Sequence, residues 1–98
     1  MTSIWIARLH VSPPTRQKLI ARHGLDPDYL RERLVCVSGL RYAWHEHPER
    51  GWRAIVMLRE GRRQILVVLY PTDEFDIWHL GSAYLVFVGR RWENGRRG

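Results

Sequence analysis

The sequence predicts an α+β fold in which an N-terminal strand and a helical hairpin pack on a mainly antiparallel sheet of four to five strands. Apolar residues follow a helical period in the two segments between residues 14 and 38 and a period of two after them. The chain has 98 residues, of which 45% are hydrophobic and 27% are charged, a composition typical of one globular core. We therefore expect a single domain over residues 1–89 and a basic C-terminal tail over residues 90–98.

The first strand and first helix follow from local signals. Ile4–Val11 alternates in polarity, which favours a strand. Ser12 then precedes two prolines, and a serine hydroxyl can accept hydrogen bonds from the free amides of a first helical turn. Because glycine commonly ends a helix, Gly24 predicts that this helix covers Pro14–His23.

The second helix begins at Asp26-Pro27, an N-cap aspartate followed by a proline in the first turn. Its apolar stripe runs from Tyr29 to Val37, and Ser38-Gly39 ends it. Cys36 falls inside this predicted helix between two valines, so we expect a buried, unreactive thiol. A single cysteine cannot form an intramolecular disulfide.

Four strands are predicted after the helices. They cover Arg41–His45, Trp52–Arg59, Arg63–Tyr70 and Ile77–Val88, and Glu60-Gly61 turns the second into the third. For the last strand, a break at Gly81 or a passage into a terminal helix is the alternative. The third of these strands is apolar on both faces, which predicts a central position in the sheet beneath a helix. The resulting order of elements is β-α-α-β-β-β-β.

The charge of the chain favours an anionic partner. The formal net charge is +6, and Lys18 is the one lysine among sixteen basic residues. Arginine binds phosphate through two parallel hydrogen bonds, so this bias favours nucleic acid over a general role in solubility. No apolar run approaches the ~20 residues of a membrane span, and no signal peptide is evident, so we expect a cytoplasmic protein without a membrane partner.

Two stretches resemble a known family. The first, Ala21–Leu30, is similar to a lysine–histidine–glycine motif followed by an acidic second helix. The second runs from Glu49–Trp52 through Leu66–Tyr70 to Ile77–Tyr84, and it is similar to a run from a glutamate–arginine pair to a terminal strand. Both resemble the BrnT-like branch of the RelE/ParE toxin superfamily. This branch places an arginine where this chain has His79, and a serine–alanine–arginine where it has Ser82-Ala83-Tyr84.

The resemblance implies a RelE-like fold and the toxin of a type II toxin–antitoxin system. It also implies a metal-independent endoribonuclease that acts on mRNA, on or off the ribosome, and so inhibits translation. The implied partners are RNA and a cognate antitoxin protein, and no cofactor is implied.

Cleavage by the RNA 2′-hydroxyl requires a base, an acid and cations that stabilise the phosphorane. His79 is the first candidate for acid or base, because imidazole titrates near neutral pH. Arg53 and Arg63 lie on the predicted hairpin and could flank a phosphate, and Tyr84 replaces a family arginine. For each of them a structural or solvent-exposed role is the alternative.

Further residues are candidates for RNA binding, through positive charge, hydrogen bonding or base stacking. They are Trp44, His45, His47, Arg50 and Tyr70. Packing within the sheet is the alternative for the aromatic residues, and a loop without a role is the alternative for the others.

His45-Glu46-His47 also admits a metal interpretation, because residues i and i+2 of a strand share a face. No third ligand is obvious, so we expect no metal. We assign structural roles to His10 and His23.

Two other functions remain open from the sequence. Thr15–Val35 resembles a helix-turn-helix, which would make the chain a non-catalytic nucleic-acid-binding module. Against this, Asp26 and Asp28 open the second helix and would repel phosphate. Alternatively, the chain is an inactive protein of toxin fold that acts through a protein partner.

Overall fold

A computed structural model describes residues 4–87 of the chain, so the predicted basic tail at 90–98 lies outside the described residues. The elements are β1 (Arg8–His10), α1 (Pro13–Lys18), a π-helical turn (Leu19–His23), α2 (Pro27–Leu34), β2 (Arg41–His47), β3 (Gly51–Glu60), β4 (Arg63–Pro71) and β5 (Ile77–Phe87). The predicted α+β class and order of elements are confirmed. Among these residues, no helix has the length and apolar character needed to cross a membrane.

The described strands form one five-stranded mixed sheet in the order β1-β5-β4-β3-β2. Strands β2 to β5 pair antiparallel with their neighbours, whereas β1 lies parallel to β5. The sheet is thus mainly antiparallel, as expected, and the parallel pairing of β1 makes it a mixed sheet. Parallel pairing needs a long crossover, and here the two helices and three strands separate β1 from β5 along the chain.

The predicted central position of β4 is confirmed, because β4 lies between β3 and β5. On one face of β4, Ile65, Val67 and Leu69 are fully buried in the hydrophobic core, together with Leu30 and other residues of the helical region. We call this face of the sheet the core face, and the opposite one the outer face. Alternation along β4 places its even-numbered residues on the outer face.

The first strand is shorter than the predicted Ile4–Val11. It pairs with β5 only over Arg8–His10, while Ile4 forms an isolated bridge with Leu40. The chain thus pairs with β5 and with the residue that precedes β2 within seven residues. Alternating polarity alone could not reveal this division.

The first helical segment reaches His23, as predicted, but its last five residues form a π-helical turn. Ser12 caps its start, since the Ser12 hydroxyl accepts a hydrogen bond from the Thr15 amide at 3.3 Å. Gly24 ends it with a left-handed backbone, φ 63°. Glycine adopts this conformation without the steric cost that a side chain brings.

The second helix begins as predicted, with the Asp26 carboxylate accepting from the Asp28 amide at 2.9 Å. It ends at Leu34, earlier than expected. The Cys36 amide instead donates to the Ile6 carbonyl at 2.8 Å, and Cys36 takes a positive φ of 58°. The prediction of a buried Cys36 within the helix is therefore wrong, because Cys36 is exposed.

Strand β5 contains a β-bulge. Leu69 pairs with Leu80 and Val68 pairs with Ser82, so Gly81 is an extra residue opposite β4. A bulge shifts every side chain on one side of it to the other face of the sheet.

Candidate active site

Each of the five strands contributes one polar or aromatic residue to a line that crosses the outer face. We call this line the transverse row: His45, Arg53, Tyr70, His79 and His10. His45 pairs with Arg53, Tyr70 with His79, and His79 with His10, all as direct cross-strand partners. The row brings together two of the four predicted catalytic residues, His79 and Arg53, and two of the predicted RNA-binding residues, His45 and Tyr70.

The bulge at Gly81 is what places His79 in the row. Without the extra residue, the register of the second half of β5 would set Leu80 opposite Tyr70 and turn His79 toward the core face. With it, Leu80 is buried and His79 is exposed beside Tyr70. Bulges often redirect a side chain in this way next to active sites.

Arg53 connects the first three residues of the row. Its Nε donates to Nδ1 of His45 at 3.1 Å, and its Nη1 donates to the Tyr70 hydroxyl at 3.3 Å. The guanidinium of this β3 residue is therefore held by both neighbouring strands, through His45 of β2 and Tyr70 of β4.

Tyr70 is a phenol in a positively charged environment. Burial acts to raise the pKa of Tyr70, but hydrogen bonds and positive charge from Arg53 and Arg50 outweigh it, so the pKa lies below its ordinary value of 10.0. A lowered pKa makes the phenol a better proton donor than a free tyrosine. Arg50, a predicted RNA-binding residue, thus acts on the same hydroxyl from the β2–β3 turn.

His10 was expected to be structural, but it lies beside His79. The two imidazole rings are 5.3 Å apart between centroids and tilted by 39°, and both side chains are exposed. This pair could not be predicted from the sequence because it depends on the parallel pairing of β1 with β5. The visible signal was that His10 closes a strand of alternating polarity.

At the end of the row formed by Tyr70, His79 and His10, the outer face borders a cleft of about 420 Å³. Its lining includes His10, Lys18, Arg50, Tyr70, His79 and Gly81. Lys18, which belongs to α1, was not a candidate in the sequence. The cleft therefore combines three kinds of group, namely cations, imidazoles and a phenol, that can bind a phosphate and transfer protons.

Two predicted catalytic residues lie elsewhere. Arg63 forms an ion pair with Glu60 at 3.7 Å, at the β3–β4 hairpin. Tyr84 is on the outer face, but its ring contacts the ring of His23 edge-on at 5.3 Å. His23, to which we assigned a structural role, thus contacts a predicted catalytic residue.

Three predicted RNA-binding residues lie outside the row: Arg50, which lines the cleft, and Trp44 and His47. Trp44 pairs with the buried Ala54 and so lies on the core face, where its ring is 6.5 Å from that of Trp52 and 6.0 Å from that of Trp78. His47 closes β2, and its Nδ1 accepts from the backbone amides of Glu49 and Arg50. It thus shapes the turn that carries Arg50.

Within residues 4–87, no group of three or more His, Cys, Asp or Glu side chains could hold a metal ion. His45 and His47 each use Nδ1 for a hydrogen bond within the chain. The arrangement of the row instead suits acid–base chemistry on a bound anion.

Comparison of the chain with protein-family models, with curated proteins and with solved structures finds no match. These comparisons assign no family. The resemblance to RelE/ParE toxins accordingly stays a prediction, and the function is argued from the transverse row.

Proposed function

We propose that this chain is a metal-independent endoribonuclease of RelE-like type and the toxin of a type II toxin–antitoxin system. Its substrate is mRNA, whose cleavage inhibits translation, and a cognate antitoxin protein neutralises it. The observation that carries this proposal is the transverse row, in which a phenol with a lowered pKa lies between an arginine and a histidine.

In the proposed reaction a phosphate of the RNA binds in the cleft, which Arg50 lines, while Arg53 bonds to the Tyr70 hydroxyl. His79 accepts the proton of the 2′-hydroxyl as the 2′-oxygen attacks phosphorus. The bond from phosphorus to the 5′-oxygen breaks, and the Tyr70 hydroxyl donates a proton to that oxygen. The products are a 2′,3′-cyclic phosphate and a 5′-hydroxyl end.

The positions of these groups support the assignment. Tyr70 and His79 are direct cross-strand neighbours, whose Cβ atoms lie about 5 Å apart in an antiparallel sheet. Both side chains line the same cleft, so both can contact one bound phosphate. The arginines supply the fixed positive charge that stabilises the phosphorane.

The helix-turn-helix alternative has less support. Arg31 donates to the Leu9 carbonyl at 2.6 Å, and Arg33 bonds to Glu60 and Tyr29, so both arginines of α2 are engaged within the chain. A recognition helix would need such side chains for the nucleic acid.

The test measures cleavage of a single-stranded RNA by the purified chain in the presence of a chelator. Tyr70→Phe removes only the proton donor, and we expect it to lower the cleavage rate by about 100-fold or more. His79→Ala should have a similar effect. Mass spectrometry of the fragments should find a 2′,3′-cyclic phosphate.

Tyr84→Phe is the matched control, because it makes the same chemical change on the same face of the sheet outside the row. It should retain full cleavage. Induction of the parent chain in a bacterial host should arrest growth, and the Tyr70→Phe chain should not. RNA that binds without being cleaved would overturn the enzymatic proposal and favour a binding module, while neither binding nor arrest would favour an inactive protein of this fold.

A further inference from the structure

We propose that His45 and His47 are positioning residues, which hold Arg53 and Arg50 against Tyr70. The two histidines flank Glu46 at the end of β2. This inference rests on the proposed function and deepens it, because it gives the His-Glu-His motif a role in the same site.

His45 acts directly on a side chain. Its Nδ1 accepts from Nε of Arg53 at 3.1 Å, while the other end of that guanidinium reaches the Tyr70 hydroxyl at 3.3 Å. A guanidinium on a flexible stem has many rotamers in the free state. The bond to His45 selects the one that points Nη1 at the phenol.

His47 acts on the backbone. Its Nδ1 accepts from the amides of Glu49 and Arg50, both at 3.1 Å, and so holds the turn between β2 and β3 in one conformation. Gly51 follows this turn with a left-handed backbone, φ 83°. The position of the Arg50 main chain is thereby set, and its side chain lines the same cleft as Tyr70.

All three hydrogen bonds require a lone pair on Nδ1, which means that neither imidazole carries a proton on that atom. The i, i+2 spacing matters because it puts both rings on the outer face of one strand. His45 then faces Arg53 of the partner strand β3, and His47 faces the turn between β2 and β3. Two arginines from different parts of β3 and its turn are thus brought to one hydroxyl.

The experiment follows the ionisation of Tyr70 by NMR in protein carrying tyrosine labelled at the ring carbon that bears the hydroxyl. Tyr70→Phe assigns the signal. His45→Ala and His47→Ala should each move the titration of Tyr70 upward, because an arginine is released from the hydroxyl. His45→Asn and His47→Asn should keep the lower titration, since the amide oxygen of asparagine can accept in place of Nδ1.

His23→Ala is the control, because His23 contacts Tyr84 rather than the arginines. It should leave the titration of Tyr70 unchanged, and amide spectra of all variants confirm that they are folded. An unchanged titration in folded His45→Ala and His47→Ala proteins would overturn the inference. So would an upward shift in the asparagine variants as large as that in the alanine variants.

RNA cleavage separates this inference from the proposed function. If the parent cleaves RNA, the alanine variants should lose at least about tenfold in rate, and the asparagine variants should recover it. If the parent does not cleave RNA, the proposed function fails, yet the NMR titration still supports or overturns the positioning role. Loss of cleavage in the alanine variants without a shift in the titration of Tyr70 would contradict the positioning role and leave the proposed function standing.

Discussion

The ring of Tyr70 lies directly over Gly81. A Cβ atom built on Gly81 would be 2.3 Å from Cε2 and 2.8 Å from Cδ2 of that ring. The requirement for glycine here is spatial, because the φ of Gly81 is outside the left-handed region. The bulge residue therefore has two effects: it turns His79 to the outer face, and it leaves room for the phenol beside it.

Gly81→Ala should displace the Tyr70 ring and lower the free energy of unfolding by about 1–3 kcal/mol, the usual cost of overpacking. RNA cleavage should fall at the same time, because the hydroxyl moves away from Arg53. Urea unfolding and the cleavage assay measure the two effects. In a Tyr70→Ala background the obstructing ring is gone, so Gly81→Ala should change the free energy of unfolding little. An equal loss in both backgrounds would contradict a contact between the Tyr70 ring and residue 81.

The stability of the chain at alkaline pH should depend on Tyr70. An acid whose pKa is lowered on folding stabilises the folded state above its unfolded pKa, and this contribution is lost as the pH falls through the folded pKa. For Tyr70 the unfolded value is 10.0, so the contribution is absent at neutral pH and appears at alkaline pH. Urea unfolding between about pH 8 and about pH 11 should show the parent gaining stability relative to Tyr70→Phe. If the free energy of unfolding changed equally with pH in the two proteins, the predicted contribution of Tyr70 would be refuted.

Arg53→Lys should weaken cleavage although the charge is kept. Lysine has no planar fork, so it cannot bond to His45 and Tyr70 at once. We expect a loss of at least about tenfold in rate, since one preorganised donor is removed from the site. Arg63→Lys makes the same change at the β3–β4 hairpin and should leave the rate unchanged. Equal effects of the two substitutions would place the chemistry outside the row.

Ser82→Ala should be neutral or should raise the free energy of unfolding by up to about 1 kcal/mol. Ser82 is buried next to the bulge, and its hydroxyl has no hydrogen-bond partner among residues 4–87. Removing an unsatisfied polar group removes its desolvation cost. Thermal and urea unfolding measure the change, with Ala83→Ser as the reverse substitution on the core face. A loss of more than about 1 kcal/mol in Ser82→Ala would show that the hydroxyl stabilises the fold.

Local signals predicted most of the elements. Ser12, Gly24 and Asp26 set helix ends through capping and backbone conformation, which depend on a few neighbouring residues. The apolar character of β4 predicted its central position, because a strand buried on both faces has few polar positions. The end of α2 was missed, since the Cys36 amide bonds to Ile6, thirty positions earlier.

The site was predicted only in part. Arg53, His79, Arg50, Tyr70 and His45 were candidates because their side chains suit phosphate chemistry, whatever their positions. His10 and Lys18 were missed, while Arg63, Tyr84 and Trp44 lie outside the row. Membership of the row depends on strand register, which one extra residue at Gly81 changes.

The α+β class, the order of the elements and most of the side chains that line the site could be predicted from residue patterns, because each follows from short-range signals and residue chemistry. Which of those side chains meet depends on long-range contacts. The parallel pairing of β1 with β5 brings His10 to His79, and the bulge brings His79 to Tyr70. Both are contacts between residues distant in the chain, and they are set by strand order and register.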